Sequence, residues 1–378
     1  MKNQYTKGFL TGVAVAFIAT AIALLPYLKE IQKEKVIQSY IDKNYIEDVD
    51  KTEIYNGMFD SLDEYSCYYT KEDFQELNDS TDGNYCGIGI VTSYSDDSNC
   101  PIIRQIYPDT PAKKAGLKVG DKILYVNKDS TRNLRDIGKL TEKMKGKEGT
   151  YVEVTVLSQG EKKTVKVKRE KVSYTSTEKK ILNGVGYLKI YTFDEKASKE
   201  IKKAVQYFKD KNITKVILDI RNNQGGLIDS LVDCLEEVVP KQLVLTTKTK
   251  DGKKTVYTMK KGTDVAFSYV LLVNGNTVSC AEIFASVMKN GNYATLVGTP
   301  TYGKGVAQSI IPLYDGSGIK LTTEKWYDNK GNSINKKGIY PDIRVKYRYL
   351  GEDEFEEDLS QDTQYLKAEE IINENSIK

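Results

Sequence analysis

The residues that could do chemistry in this chain of 378 residues are a serine and a lysine in one stretch of its carboxyl-terminal half. Ser279 follows an apolar run, residues 270–273, and an Asn-Gly-Asn turn, and it directly precedes a segment with a helical pattern, residues 280–288. A side chain at that point lies near a helix N-terminus, where free backbone N–H groups favour negative charge. Lys304 follows in a glycine-rich turn, and Gln308 comes four residues later.

The composition restricts the base that could activate this serine, because the chain contains no histidine. A Ser-His-Asp or Cys-His hydrolase is therefore excluded, and so is a zinc site built on imidazole. A lysine is the main remaining candidate, and it can serve only if burial lowers the pKa of its amine well below the ordinary value of about 10.4. The glycines beside Lys304 allow its backbone to pack closely in a cleft, and Gln308 is placed to hold the neutral amine by a hydrogen bond.

The run around the serine, NGNTVSCAEIFA at residues 274–285, resembles the carboxyl-terminal processing proteases, which are PDZ-containing, tail-specific serine proteases of family S41. In that family a serine and a lysine form a catalytic dyad, and a glutamine four residues after the lysine supports it. The matching positions here are Ser279, Lys304 and Gln308. Taken separately, the serine would be an ordinary helix cap and the lysine a solvated charge. Their joint occurrence in the family's order favours the catalytic interpretation.

A second motif, RNNQGGL at residues 221–227, follows a strand-like apolar run and resembles the family's LDLRNNPGG segment. Gln224 stands where proline is usual, so a rigid turn is lost while both glycines are kept. Acyl transfer needs convergent N–H donors aimed at the developing oxyanion. We expect the backbone N–H of Gly225 or Gly226, together with that of Cys280, to supply them.

Two stretches of the first half resemble a PDZ domain. Residues 84–90 resemble its carboxylate-binding loop and following strand, and residues 106–124 resemble the signature P-A-x-x-A-G-L-x-x-G-D-x-I. In a PDZ domain, exposed N–H groups of a glycine turn capture a terminal carboxylate and the next strand edge pairs with the peptide. The resemblance implies polypeptide substrates that are selected by a free, apolar C-terminal end. The expected peptide-binding residues are Tyr85, Gly87, Ile88, Gly89 and Ile90.

The N-terminal segment contains two lysines and then an uncharged, mostly apolar run from Gly8 to Leu28. That run is about long enough to cross a ~30 Å hydrocarbon core as a helix. Small-residue sites at residues 19–23 also fit a removable signal peptide. Because the apolar run continues beyond those sites, we favour an uncleaved single-pass anchor in a bacterial cell membrane, with the catalytic part outside the cytoplasm. Cleavage and secretion are the alternative.

The motifs divide the chain into five parts. We expect a cytoplasmic stub and anchor at 1–28, a helical N-terminal region at 29–80, a PDZ domain at 81–170, a protease core at 171–348 and an acidic, then helical tail at 349–378. By resemblance, the chain is a multidomain α/β (α+β) protein whose core has the ββα-spiral arrangement of crotonases and carries the PDZ domain as an insertion. The family pairs subunits through its N-terminal region, so a homodimer is expected.

Charge and cysteine content exclude other classes of function. The net charge of +3 is spread thinly, so no nucleic acid is expected as a partner. Five cysteines without regular spacing argue against a metal cluster or a disulfide framework, and no cofactor is predicted. Cys280 is not expected to be the nucleophile, because no histidine is present to form a thiolate pair. A regulatory or adaptor protein is a further candidate partner.

The prediction from the sequence is a membrane-anchored serine endopeptidase that cleaves exported proteins recognised by their C-terminal tails. Lys304 would take the proton of Ser279, Gln308 would orient the amine, and an acyl-enzyme would form. A catalytically inactive PDZ scaffold is the alternative, although it would have little reason to keep these residues together. A crotonase-type acyl transferase would share the oxyanion hole but would need neither a PDZ domain nor export.

Overall fold

The computed structural model describes residues 32–81, 86–93, 99–107, 109–132, 140, 143–172, 175–350 and 358–374. The chain divides into a small unit that ends at Asp63 and a large unit that starts at Glu64. The predicted anchor at residues 1–28 lies outside the described residues. None of the helices in the described ranges combines the length and apolar character needed to span a bilayer.

The described part of the small unit is helical. Residues 32–44 form α1 and Lys51–Phe59 form α2. The side chain of Asp50 accepts a hydrogen bond from Thr52 N at 2.8 Å, so α2 begins with an ordinary cap.

The PDZ domain is an antiparallel sheet with the strand order β3-β4-β5-β7-β8, in which β6 pairs with β5 and β3 is an edge. The alternating sequence of β7 places Val152, Val154 and Val156 in the domain's apolar core. The chain enters and leaves the domain through a short antiparallel ribbon, β2 with β9. The elements are β2 (Cys86–Gly87), β3 (Ile90–Ser93), β4 (Ile102–Ile106), α4 (Pro111–Lys114), β5 (Lys122–Val126), β6 (Asp129–Ser130), β7 (Tyr151–Ser158), β8 (Glu161–Lys168) and β9 (Glu170–Lys171).

The centre of the large unit is a six-stranded sheet of order β10-β11-β12-β15-β16-β19, parallel except for β10. Its inner strands β12, β15 and β16 are mostly apolar because both faces of the sheet are covered there, as is usual for parallel sheets. The strands are β10 (Thr177–Leu182), β11 (Val185–Ile190), β12 (Lys215–Asp219), β15 (Ser268–Val273), β16 (Ala294–Gly298) and β19 (Ile343–Arg344).

Helices cover both faces of this sheet. On one face, α5 (Ala197–Asp210), α6 (Ile228–Leu235) and α7 (Cys280–Asn290) share an apolar cluster with the sheet. On the other face, α8 (Thr363–Glu374) packs through Tyr365 and Ile372 on a second cluster. The helical part of the predicted tail is therefore a layer of the core rather than an appendage to it.

A second sheet is antiparallel and has the order β1-β18-β13-β14, with β17 also paired to β18. Its Val244, Leu245 and Trp326 join the apolar cluster of α5, α6 and α7, so this sheet packs against the same helices. Residues 67–69, inside the region expected to be helical, form its edge strand, and α3 (Lys71–Thr81) follows. The strands are β1 (Cys67–Tyr69), β13 (Leu243–Thr249), β14 (Lys254–Thr258), β17 (Val306–Pro312) and β18 (Gly318–Asp328).

Candidate active site

Ser279 lies between β15 and α7 in a backbone conformation that is rare for a residue with a side chain, with φ +57° and ψ −121°. Such a conformation costs about 1–3 kcal/mol and persists only where the surroundings enforce it. Here the preceding turn is fixed by hydrogen bonds from Thr277 Oγ1 to Ile220 O at 3.0 Å and from Val278 N to Asn223 O at 3.0 Å. The serine is half-buried, and this backbone conformation holds it at the start of the helix.

Asparagines tie this turn to the glycine-containing turn at 221–227. Asn222 Oδ1 accepts hydrogen bonds from Asn274 Nδ2 at 2.9 Å and from Asn276 Nδ2 at 3.1 Å. In return, Asn222 N donates to Asn274 Oδ1 at 3.1 Å. The two motifs recognised in the sequence therefore form one hydrogen-bonded unit.

Gly225 and Gly226 lie directly behind the nucleophile. A Cβ on Gly225 would be 3.0 Å from both Ser279 Cβ and Cys280 N, and a Cβ on Gly226 would be 2.4 Å from Phe193 O. Their φ values of +102° and +147° also favour glycine. Gly225 N is already donated to Asn223 Oδ1 at 2.8 Å. Of the predicted oxyanion donors, Gly226 and Cys280 are therefore better suited than Gly225.

Lys304 lies in the loop between β16 and β17, and its backbone is anchored on both sides. Its N donates to Glu282 Oε2 at 2.9 Å, and its O accepts from Trp326 Nε1 at 2.8 Å. A Cβ on Gly303 would be 2.9 Å from Gly338 N, so the flanking glycine permits the close packing expected from the sequence. The amine lies over the ring of Tyr65, 4.4 Å from its centroid.

One buried carboxylate connects the serine to the lysine, and sequence reasoning did not assign it a role. Glu282, on the first turn of α7, is 0% exposed and accepts from Ser279 N at 3.0 Å and Lys304 N at 2.9 Å. It also accepts from Gly303 N at 2.7 Å and Thr301 Oγ1 at 2.6 Å. Burial raises the pKa of Glu282 above its ordinary value, and these donors partly oppose the shift. The Ser-x-x-Glu capping spacing at 279–282 was the signal available in the sequence.

A cavity of about 680 Å³ brings most of the predicted residues together. Ser279, Lys304, Gln308, Gly226 and Cys280 all line it. The Gln308 side chain, on β17, donates from Nε2 to Thr322 Oγ1 at 3.0 Å, which fixes the orientation of its amide. The cavity wall also carries four carboxylates, Asp194, Glu195, Asp229 and Asp233.

The thiol beside the nucleophile is unsuited to nucleophilic attack. Burial raises the pKa of Cys280 to about 12, and its Sγ donates to Gly226 O at 3.2 Å. None of the five cysteines, all of which lie in the described ranges, forms a disulfide.

A buried network of ion pairs holds the start of the glycine-containing turn at 221–227. The Arg221 guanidinium contacts Asp219 at 2.6 Å and Asp362 at 2.5 Å, and Tyr187 OH donates to Asp219 at 2.8 Å. Burial alone would raise the pKa of Asp219, but the charge and hydrogen bonds of Arg221 lower it overall. The turn is thus fastened to the residue that directly precedes α8.

The residues predicted to bind peptides occupy several environments, and Tyr85 lies outside the described residues. Gly87 pairs with Glu170 in the entry ribbon, and the side chain of Ile88 is buried in the PDZ core. Gly89 has φ +82° and packs against Thr110. Ile90 begins the edge strand β3. Within the described residues, β3 is an edge strand of the PDZ sheet.

Comparison with known proteins follows the same division of the chain. Residues 184–345 match the sequence profile of peptidase family S41, and residues 86–168 match that of the PDZ domain. The carboxy-terminal processing protease CtpB of Bacillus subtilis (strain 168) is 32% identical over 340 residues, which cover 87% of this chain and 70% of that protein. A probable CtpA-like serine protease of Staphylococcus aureus (strain MSSA476) is 32% identical over 357 residues, which cover 90% of this chain and 71% of that protein.

Solved structures share the fold. The photosystem II D1 C-terminal processing protease superposes with a TM-score of 0.65 at 24% identity, over 84% of this chain and 88% of that chain. A putative S41 protease from Bacteroides fragilis NCTC 9343 gives a TM-score of 0.53 at 18% identity, over 81% of this chain and 87% of that chain. At these identities the likeness concerns the fold.

Proposed function

Because the chain belongs to peptidase family S41 and is a serine peptidase of the carboxy-terminal processing type, we propose that it cleaves polypeptides with Ser279 as the nucleophile and Lys304 as the general base. The observation that carries this proposal is the single cavity that Ser279, Lys304 and Gln308 line beside Gly226. Ser279 lies in a strained conformation at the start of a helix, and an amine lies in the same cavity. Because the chain has no histidine, these features favour a Ser-Lys dyad.

In the first step, the neutral amine of Lys304 takes the hydroxyl proton as Ser279 Oγ bonds to the peptide carbonyl carbon. The carbonyl electrons move to the oxygen, and the N–H groups of Gly226 and Cys280 stabilise that oxyanion. The N-terminus of α7 adds a favourable field. The Lys304 ammonium then gives its proton to the leaving amine, which produces the acyl-enzyme, and water releases the product in a second, equivalent cycle.

Two side chains keep the dyad in position. Glu282 fixes the backbone of Ser279 and that of Lys304 with one carboxylate. Gln308 donates its Nε2 to Thr322, which leaves its Oε1 as an acceptor for the Lys304 amine. We expect this acceptor to orient the amine in its neutral form.

The domains and the N-terminal segment suggest how substrates are bound and where the enzyme acts. We propose that the PDZ domain binds free C-terminal tails by adding them to the edge of β3, and that it delivers exported polypeptides to the cavity. The apolar segment at residues 8–28 would anchor the enzyme in a bacterial cell membrane with the catalytic part outside the cytoplasm, and cleavage with secretion is the alternative. A homodimer and a regulatory or adaptor protein belong to the same proposal.

The test uses the full-length protein in detergent with an unfolded substrate that ends in an apolar residue. The wild type is compared with Ser279→Ala, Lys304→Ala and, as a matched control, Lys330→Ala at an exposed lysine. We expect fragments from the wild type and Lys330→Ala alone, weighed by mass spectrometry. The same substrate with an amidated C-terminus should be cleaved more slowly because the carboxylate is lost. Cleavage that survives in Ser279→Ala would refute the mechanism.

The PDZ scaffold is not favoured, because the relatives of this chain are peptidases. It would require that the wild type binds C-terminal tails and releases no fragments.

A further inference from the structure

An aromatic ring lies under the amine of the proposed base. Lys304 Nζ is 4.4 Å from the centroid of the Tyr65 ring and faces it, which is the geometry of a cation–π contact. Tyr65 is half-buried and comes from the segment that precedes β1, far from the lysine in sequence. No motif connects the two residues.

The position of Tyr65 is set by the same strand that positions Lys304. The next residue, Ser66, accepts a hydrogen bond from Thr322 N at 3.0 Å, and β1 continues in register with Cys67 opposite Lys320. Trp326, further along the same strand β18, donates to Lys304 O at 2.8 Å. Strand β18 therefore positions both the Tyr65 ring and the Lys304 backbone.

The hydroxyl end of the ring is anchored as well. The Tyr65 hydroxyl forms side-chain hydrogen bonds with Tyr302 and Glu64, and Tyr302 OH donates to Glu64 Oε1 at 3.1 Å. Burial, followed by these hydrogen bonds, raises the pKa of Tyr65 far above its ordinary value. The ring stays a neutral phenol that presents its face to the lysine.

We propose that Tyr65 is a positioning residue for the general base, whose ring holds the Lys304 amine in place and binds its ammonium form more strongly than its neutral form. The ammonium exists only after the proton has left Ser279, so the contact stabilises the tetrahedral intermediate relative to the free enzyme with a neutral amine. This inference rests on the proposed Ser-Lys dyad.

Other groups of the cavity and its surroundings also affect the titration of Lys304. Tyr65→Leu and Tyr65→Phe both remove the hydroxyl that contacts Glu64 and Tyr302, so the comparison of these two variants isolates the ring. Carboxylates favour the ammonium, as the ring does, whereas burial opposes it. The buried thiol beside the nucleophile responds to the lysine charge in turn. These groups are Glu64 and Tyr302, Glu282 and Cys280 on α7, and the cavity carboxylates Asp194, Glu195, Asp229 and Asp233.

The experiment compares Tyr65→Leu with Tyr65→Phe in the full-length enzyme. Leucine keeps apolar bulk but removes the ring, whereas phenylalanine keeps the ring and removes only the hydroxyl. Without the ring the amine pKa falls, so the acidic limb of the kcat/KM profile should move to lower pH by about half to one and a half units in Tyr65→Leu. The plateau kcat should also fall, and Tyr65→Phe should keep the limb of the wild type.

A second measurement reads the amine without using activity. In a Ser279→Ala background, the pH dependence of Lys304 acetylation by acetic anhydride is followed by mass spectrometry of its peptide, and the same shift is expected on Tyr65→Leu. The inference would be overturned if the wild type, Tyr65→Leu and Tyr65→Phe had the same acidic limb in the kcat/KM profile and the same labelling curve, whatever the loss of rate. If Tyr65→Leu lowers the unfolding temperature, Tyr65→Met replaces it.

The two proposals fail in different ways. Cleavage that persists in Lys304→Ala would refute the dyad, while the labelling curves would still report on the ring. Cleavage abolished in Lys304→Ala together with unshifted curves would refute only the role of Tyr65.

Discussion

The substitution Glu282→Gln tests whether the position of the two dyad residues determines the activity. One buried carboxylate accepts hydrogen bonds from the backbone of both residues. Its Oε2 accepts from Ser279 N and Lys304 N, and its Oε1 accepts from Gly303 N and Thr301 Oγ1. All four partners are donors. An amide exchanges one acceptor oxygen for an NH₂ donor, so it cannot satisfy both sides.

The Thr301 hydroxyl decides how the new amide turns, because it alone of the four partners can also accept a hydrogen bond. When the Nε2 of the new glutamine points towards Thr301, its Oε1 still accepts hydrogen bonds from Ser279 N and Lys304 N. Gly303 N then faces the amide NH₂, which is a donor, and loses its hydrogen bond. The loss is one charge-assisted hydrogen bond, about 1.5–3 kcal/mol, together with a weakening of the two that remain. Removing a buried charge whose pKa is raised returns part of this cost, so we expect the free energy of unfolding to fall by about 2 kcal/mol.

The activity should fall further than the stability suggests. A displacement of about 1 Å between reacting groups costs on the order of 100-fold in rate, so we expect kcat/KM to fall by about 10- to 100-fold. Urea unfolding and peptide cleavage at the same pH measure the two quantities, with the exposed Glu148→Gln as the matched control. Wild-type kcat/KM in a variant destabilised by about 2 kcal/mol would refute the reasoning, because Glu282 would then support only the fold.

Three further predictions concern the surroundings of the nucleophile. Gly225→Ala should lower kcat by at least about 100-fold while the protein stays folded, because the new Cβ would lie 3.0 Å from Ser279 Cβ and Cys280 N; steady-state kinetics and circular dichroism measure this. Asp219→Asn should cost about 3–5 kcal/mol in urea unfolding at pH 7, since it leaves Arg221 buried with one counter-ion fewer. The Asp219 contribution is present above the ordinary aspartate pKa of about 3.9 and is lost as the pH falls through its lower folded value, so the wild type should lose more stability on acidification than Asp219→Asn. Cys280→Ala should keep kcat within about three-fold, because a thiol with a pKa of about 12 takes no part in attack.

Each of these has a control and an outcome that contradicts it. Gly184→Ala, also at positive φ but with open space around its Cβ, should leave kcat unchanged. Acid curves that run parallel for the wild type and Asp219→Asn would contradict the ion-pair account. Sensitivity of the wild type to iodoacetamide at neutral pH, lost in Cys280→Ala, would mean that the thiol is ionised.

Where the expected site residues lie close together in the sequence, the pattern predicted which of them would meet. Ser279, Lys304 and Gln308 lie within one stretch, and the structure places them around one cavity. Gly226, one of the two alternative oxyanion donors, lines the same cavity. Gly225 was predicted as an alternative donor, and the use of its N–H by Asn223 could not be read from spacing, because it depends on the exact path of the turn.

What the sequence could not reveal depends on contacts between distant segments. Glu282 has the spacing of a common capping box, and only the fold brings Lys304 N to Oε2, the oxygen that also accepts from Ser279 N. Tyr65 reaches the lysine through the pairing of β1 with β18, a register that no local pattern specifies. The helix at 363–374 has a recognisable pattern, but the face that it covers is set by its partner sheet.

The link between Arg221 and Asp362 has a consequence for the order in which the enzyme is assembled. The two residues are 141 positions apart, and the later one immediately precedes α8. A ribosome that adds about 5–20 residues per second needs roughly 7–28 seconds to travel that distance. During this interval the turn that carries Gly226 has been synthesised without its second counter-ion, and the far face of the central sheet is uncovered. We therefore expect proteolytic competence only once the chain has been synthesised through Asp362, after both Ser279 and Lys304.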